Sequence, residues 1–70
     1  MQVLLYNELN PKAIPGLAKL IKFLENDDFH SADVKKVGDN LYRAKLNRND
    51  RIILSIYKHL GKPYALILEY

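Results

Sequence analysis

The sequence contains no cysteine, which excludes disulfide bonds and metal sites built from thiolates. Only three glycines are present, none of them in a glycine-rich phosphate loop, and neither a Ser-His-Asp order nor a Cys-His set is found. No apolar run is long enough to span a membrane, and the first residues lack the basic and apolar segments of a signal peptide. We therefore expect a cytoplasmic protein with no membrane span, no bound metal and no other cofactor.

Hydrophobic residues make up 49% of the 70 residues, and the net charge is +3. This composition argues against disorder and predicts a single small domain over residues 1–70. The charge is unevenly distributed: residues 1–34 hold three lysines and five acidic residues, whereas residues 35–62 hold eight lysines and arginines and two acidic residues. A basic half with tyrosines between its cations is typical of a domain that contacts nucleic acid or an acidic protein. The alternative is a solvated, lysine-rich surface.

Hydrophobic periodicity predicts a strand and a helix in the first half of the chain. Residues 2–9 are rich in Val, Leu and Tyr, as strands are. Apolar residues recur at helical spacing at Leu17, Leu20 and Leu24, and we expect this helix to end near Asn26.

The second half predicts three strands joined by short turns. Residues 27–36 have the polar character of a loop with a short turn, and residues 64–70 are apolar on both sides, as interior strands are. With the hairpin described next, the order is β-α-β-β-β. The sequence thus predicts an α+β domain in which a helix packs on one face of a mostly antiparallel four-stranded sheet.

Residues 41–57 predict a β-hairpin whose two faces differ in chemistry. Side chains alternate along a strand and paired residues share a face. One face then carries Arg43, Lys45 and Arg51, and the other carries Tyr42, Ala44, Leu46, Ile52, Leu54 and Ile56. A three-residue loop over 48–50 would pair Leu46 with Ile52, Ala44 with Leu54 and Tyr42 with Ile56. A five-residue loop over 46–50 would keep the same faces.

The same region resembles the RelE/ParE superfamily of toxins from bacterial toxin–antitoxin pairs. Residues 41–46 (Leu-Tyr-Arg-Ala-Lys-Leu) resemble its "L-Y-R-x-R/K-hydrophobic" strand, and residues 50–57 resemble its "y-R-I-i-Y" strand. Residues 65–69 are similar to its last apolar strand, and residues 34–38 to its basic lead-in. The likeness covers residues 34–70 and extends to the first half only in element order.

Two departures from the family are visible. The family usually has a helical hairpin after its first strand, where this sequence predicts about one good helix. Its ribonuclease members also place an arginine and a tyrosine or histidine after the last strand, and no residues here match them. We therefore expect a longer natural chain, a domain of a larger protein, or a copy with reduced or no activity.

The resemblance implies a metal-independent endoribonuclease that cuts messenger RNA on the ribosome and is neutralised by a cognate antitoxin protein. It implies that Arg43 and Lys45 are the strand cations, with Lys45 as the base, and that Arg51 stabilises the phosphate charge. Further candidates for contact with nucleic acid are Lys35, Lys36, Arg48, Tyr57 and Lys58.

Each of these residues also has an ordinary structural role open to it. Arg43 and Lys45 could be solvent-facing strand residues, and Arg51 could form a salt bridge with Asp39, Asp50 or Glu69. Tyrosines in strands more often pack than stack on bases. The alternative function is a non-catalytic, ParE-like or accessory domain that binds protein or nucleic acid.

Overall fold

The computed structural model describes residues 1–6 and 9–69, and within them it has five strands and two helices on one domain. The strands are β1 (Gln2–Leu5), β2 (Val34–Gly38), β3 (Leu41–Lys45), β4 (Arg51–His59) and β5 (Lys62–Glu69), and the helices are α1 (Leu17–Glu25) and α2 (Phe29–Ala32). The predicted first and last strands reached over Asn7, Glu8 and Tyr70, which lie outside the described residues.

The sheet order is β1-β5-β4-β3-β2, with β1 parallel to β5 and every other pair antiparallel. The α+β class and the mostly antiparallel sheet are confirmed, but the count of four strands is wrong. The additional strand is β2, which lies at one edge of the sheet and contains two lysines. Lysines are common on edge strands, where they discourage pairing with other chains, and they gave β2 the polar pattern of a turn.

Helix α1 covers the apolar face of the sheet. It buries Leu17, Leu20 and Leu24, which confirms the predicted helical face. The sheet contributes the buried side chains of Ala44, Ile52, Leu54, Ala65 and Ile67. Fully burying one large aliphatic side chain of this layer stabilises the fold by about 1.5–3 kcal/mol, so the layer holds the helix against the strands.

The β3–β4 hairpin has the predicted faces but a different register. Tyr42 pairs with Leu54 and Ala44 with Ile52, so the connection is the five-residue loop over 46–50, and the pairs expected for a three-residue loop are wrong by two residues. The reason is Asn47, whose Oδ1 accepts hydrogen bonds from the backbone N–H groups of Asn49 and Asp50, both at 2.9 Å. Because a shift of two residues restores the alternation, Arg43, Lys45 and Arg51 still share one face.

Both helices lie on the same side of the sheet, and the opposite side, here called the open face, carries no helix in the described residues. On the helix side, the single turn of α2 leaves an apolar cavity of about 310 Å³ lined by Phe29, Val34, Tyr42 and Ile56. Neither α1 nor α2 has the length and apolar character that crossing a bilayer requires.

Candidate nucleic-acid interface

Four cations form a block on the open face. Lys35 of β2 pairs directly with Arg43 of β3, and Lys45 of β3 pairs directly with Arg51 of β4. Arg43 and Lys45 are two residues apart on the same strand, so their side chains point the same way. All four side chains are exposed. The structure thus brings together the three cations predicted for the site and adds Lys35, one of the further candidates.

This arrangement is electrostatically unfavourable for the protein alone. Like charges directly opposite each other destabilise a sheet, and here two such pairs are adjacent. Within residues 1–6 and 9–69, the one ion pair closer than 4.0 Å joins the amino group of Met1 to Asp27, which is not part of the block. In the described part of the chain, Arg51 therefore forms no salt bridge with Asp39, Asp50 or Glu69. The four cations therefore have no ion-pair partner within 4.0 Å in the described residues.

The cations surround a pocket of about 120 Å³. Its lining consists of Asp33, Lys35, Arg43, Lys45 and Arg51, and we call this site the basic recess. A small pocket lined by ammonium and guanidinium groups suits a phosphate group, since guanidinium forks bind phosphate oxygens in pairs and ammonium groups act as point charges.

Asp33 is the carboxylate of the basic recess, and it was not among the residues predicted for the site. It ends α2 in a left-handed conformation, with φ 52° and ψ 52°, and β2 begins at the next residue. Its backbone N–H donates to the carbonyl of His30 at 3.2 Å. No local signal in the sequence would have found it, because the left-handed backbone of Asp33 interrupts the alternation of side chains that begins with β2 at Val34.

The other end of α2 is also held in place. The carboxylate of Asp28 accepts a hydrogen bond from the backbone N–H of Ser31 at 3.1 Å, which caps the helix. Hydrogen bonds from Ser31 hold the pKa of Asp28 below its ordinary value of 3.8, with the larger effect from the Ser31 side chain and the smaller from its backbone. The cap therefore contributes stability above that pH and loses it as the pH falls through the lowered pKa. A capped α2 fixes where Asp33 enters the recess.

The remaining predicted contacts lie elsewhere. Lys36 pairs with Tyr42, so it shares the helix-side face with that residue. Lys58 is two residues after the half-buried Ile56 on β4, so it shares the helix-side face with that residue. Arg48 is in the β3–β4 loop. The structure does not bring these three residues to the basic recess.

Tyr57 is on the open face but at the far end of β4. It lies six positions after Arg51, which corresponds to roughly 20 Å along a strand. Its ring stacks on that of Tyr64, with centroids 5.8 Å apart, and His59 meets Tyr64 edge-on at 6.3 Å. We call Tyr57 and Tyr64 the tyrosine pair. Each ring therefore has an aromatic partner within the protein and needs no ligand to pack against.

No three side chains of the His, Cys, Asp and Glu types come together as a metal site in residues 1–6 and 9–69. Comparison of the chain with protein-family models, with curated proteins and with solved structures finds no match.

Proposed function

We propose that this domain is a RelE-like endoribonuclease toxin of a toxin–antitoxin pair and that it holds the RNA backbone in the basic recess. The observation that carries the proposal is the pair of like-charged cross-strand contacts, Lys35–Arg43 and Lys45–Arg51, gathered around one carboxylate. A surface without an anionic ligand gains nothing from this repulsion. Local conflicts of this kind are typical of functional sites, where a ligand supplies the compensating charge.

The recess contains the groups that metal-free RNA cleavage requires. In this reaction a ribose 2′-hydroxyl attacks the adjacent phosphorus, the bond to the 5′-oxygen breaks, and the products are a 2′,3′-cyclic phosphate and a 5′-hydroxyl. One group must accept the proton of the 2′-hydroxyl, and another must protonate the leaving 5′-oxygen. The extra negative charge on the phosphate oxygens requires cations.

The side chains of the recess divide these tasks by their hydrogen-bonding character. A carboxylate is an acceptor, which assigns Asp33 to the 2′-hydroxyl proton, whereas an ammonium group is a donor, which assigns Lys45 to the leaving oxygen. This reverses the role of base that the family resemblance implied for Lys45. Arg51 and Arg43 then hold the phosphate oxygens through their guanidinium forks.

The proposed partners follow from the same charge. Ribosome-bound messenger RNA is the proposed substrate, which places the protein in the cytoplasm. A cognate antitoxin would inhibit it by laying an acidic segment over the basic recess, because such a segment competes directly with phosphate.

A non-catalytic domain that binds protein or RNA is the second candidate. It is favoured by the apolar residues of the open face that do not line the recess, where Leu4 is 36% exposed and Ile53 and Leu66 are half-buried. Exposed apolar surface of this kind is common at protein interfaces. The two candidates differ in one outcome, since the second predicts binding without cleavage.

The test compares two arginines of the hairpin, one inside the recess and one outside it. Labelled messenger RNA, either free in the presence of a chelator or ribosome-bound in magnesium buffer, is incubated with wild-type protein, Arg51→Ala and Arg48→Ala. We expect the wild type and Arg48→Ala to produce fragments ending in cyclic phosphate, and Arg51→Ala to produce none. Wild-type protein that binds RNA and leaves it intact would select the second candidate. Equal behaviour of both variants would reject the recess as the site.

A further inference from the structure

A second recess adjoins the basic recess and shares one wall with it. Its volume is about 130 Å³, and it lies between α1, α2 and the end of β3. The lining includes Gly16, Lys19, Phe23, Ser31 and Leu46, together with Lys45, which also lines the basic recess. Lys45, at the end of β3, is therefore part of the lining of both pockets.

The second recess has its own groups for an anion. Its lining contains two lysines, Lys19 and Lys45, and a residue with a hydroxyl group, Ser31. The ammonium nitrogen of Lys19 lies 5.8 Å from the centroid of the Phe23 ring, a cation–π contact that holds this flexible side chain at the recess. Asp33, the carboxylate of the basic recess, does not line the second one. The second recess thus has the chemistry of a binding site rather than of a cleavage site.

A shared cation suits two anionic groups that are covalently linked. Consecutive phosphates of a single nucleic-acid strand are such groups, and proteins that bind single strands follow the backbone with a basic groove. We propose that the second recess binds the phosphate next to the one in the basic recess, through Lys19, Lys45 and Ser31. This inference rests on the proposed function, because it takes the ligand of the basic recess to be RNA.

The salt dependence of binding tests this second phosphate contact directly. Each phosphate neutralised on a single strand adds about 0.7 to the slope of log affinity against log salt. The probes are a labelled oligouridylate that spans both recesses and the dinucleotide UpU, which has a single phosphate. The variant is Lys19→Gln, and the matched control is Lys22→Gln, an exposed lysine of the same helix that does not line the recess. Both substitutions keep a good helix former.

We expect Lys19→Gln to lower the oligouridylate slope by about 0.7 and to leave UpU binding unchanged. We expect Lys22→Gln to change neither. An unchanged slope in Lys19→Gln, measured where Arg51→Ala still loses binding, would overturn the second phosphate site and leave the proposed function standing. If neither Arg51→Ala nor Lys19→Gln weakened binding, the proposed function would fall and the second site with it.

Discussion

The two ends of β4 carry opposite kinds of chemistry on the same open face. At one end, Arg51 belongs to the basic recess, where like charges face each other across two strand pairs. At the other end, Tyr57 stacks on Tyr64, and the two rings satisfy each other. The like-charge pairs at the basic recess are unfavourable without an anionic ligand, whereas the stacked tyrosines are favourable without any ligand. An exposed cluster whose interactions are unsatisfied within the fold is therefore a better indicator of function than an exposed cluster of aromatic residues.

Removing the carboxylate of the basic end tests the chemistry and has the largest expected effect. Asp33→Asn keeps the size of the side chain, and asparagine tolerates the left-handed backbone at this position. We expect RNA cleavage to fall by about 10²–10⁴-fold, the usual contribution of a general base, while RNA binding is kept. The measurement is single-turnover cleavage of a labelled RNA.

The control for this substitution is Asp39→Asn, which changes an exposed acid in the turn before β3. It should cleave at the wild-type rate. Full activity of Asp33→Asn would remove this residue from the mechanism and return the role of base to Lys45.

Substitution of two glycines by alanine compares the backbone near the basic recess with the backbone near the tyrosine pair. Both have positive φ, 87° at Gly16 and 79° at Gly61, so an alanine at either position costs about 1–2 kcal/mol. A Cβ at Gly16 would also lie 2.7 Å from the carbonyl oxygen of Leu46, whereas Gly61 has nothing within 4 Å. We expect Gly16→Ala to lower the free energy of unfolding by about 1–3 kcal/mol more than Gly61→Ala, as overpacking does. Urea denaturation measures both, and equal losses would show that the contact at Leu46 relaxes without cost.

Substitutions of two adjacent lysines and a tyrosine compare how much each end of β4 contributes to RNA binding. Lys35 lines the basic recess, Lys36 shares the helix-side face with Tyr42, and Tyr57 stacks on Tyr64. We expect Lys35→Gln to lower the salt slope for single-stranded RNA by about 0.7. We expect Lys36→Gln and Tyr57→Leu to leave it unchanged. A loss of affinity in Tyr57→Leu as large as that in Lys35→Gln would mean that bases stack at the tyrosine pair, and the comparison between the ends would fail.

A substitution in the two-residue turn near the tyrosine pair should stabilise the fold slightly, whereas the glycine substitutions destabilise it. Leu60 is 88% exposed and has φ 53°, a conformation that leucine adopts at a cost of roughly 1–2 kcal/mol. Asparagine followed by glycine is the preferred pair for such a hairpin turn. We expect Leu60→Asn to raise the free energy of unfolding by about 1 kcal/mol and to leave RNA binding unchanged. Leu60→Ala is the control, and an equal gain there would assign the effect to lost apolar exposure.

The sequence predicted the faces of the site better than its boundaries. Alternation alone placed Arg43, Lys45 and Arg51 on one side of the hairpin, because the pattern of apolar residues permits no other orientation. The register depended on the hydrogen bonds of Asn47 within the loop, which periodicity does not reveal. A two-residue error in register was harmless because it preserves the faces.

The missing fifth strand had a larger consequence for the site. Residues Val34–Gly38 contain too few apolar residues to show a strand pattern, since an edge strand with one open face buries little. Without β2, the pairing of Lys35 with Arg43 was hidden, as was the entry of Asp33 into the recess. Long-range pairing set both, and no local signal in the sequence reports it.

The central claim is that the cations of the basic recess repel one another in the free protein and are held there for an anion. Lys45→Gln tests it most directly, because this residue pairs with Arg51 and its substitution leaves the core untouched. At low salt we expect the free energy of unfolding to rise by about 0.2–1 kcal/mol, while RNA affinity falls by about tenfold. A variant that is no more stable than the wild type and binds RNA equally well would contradict the account.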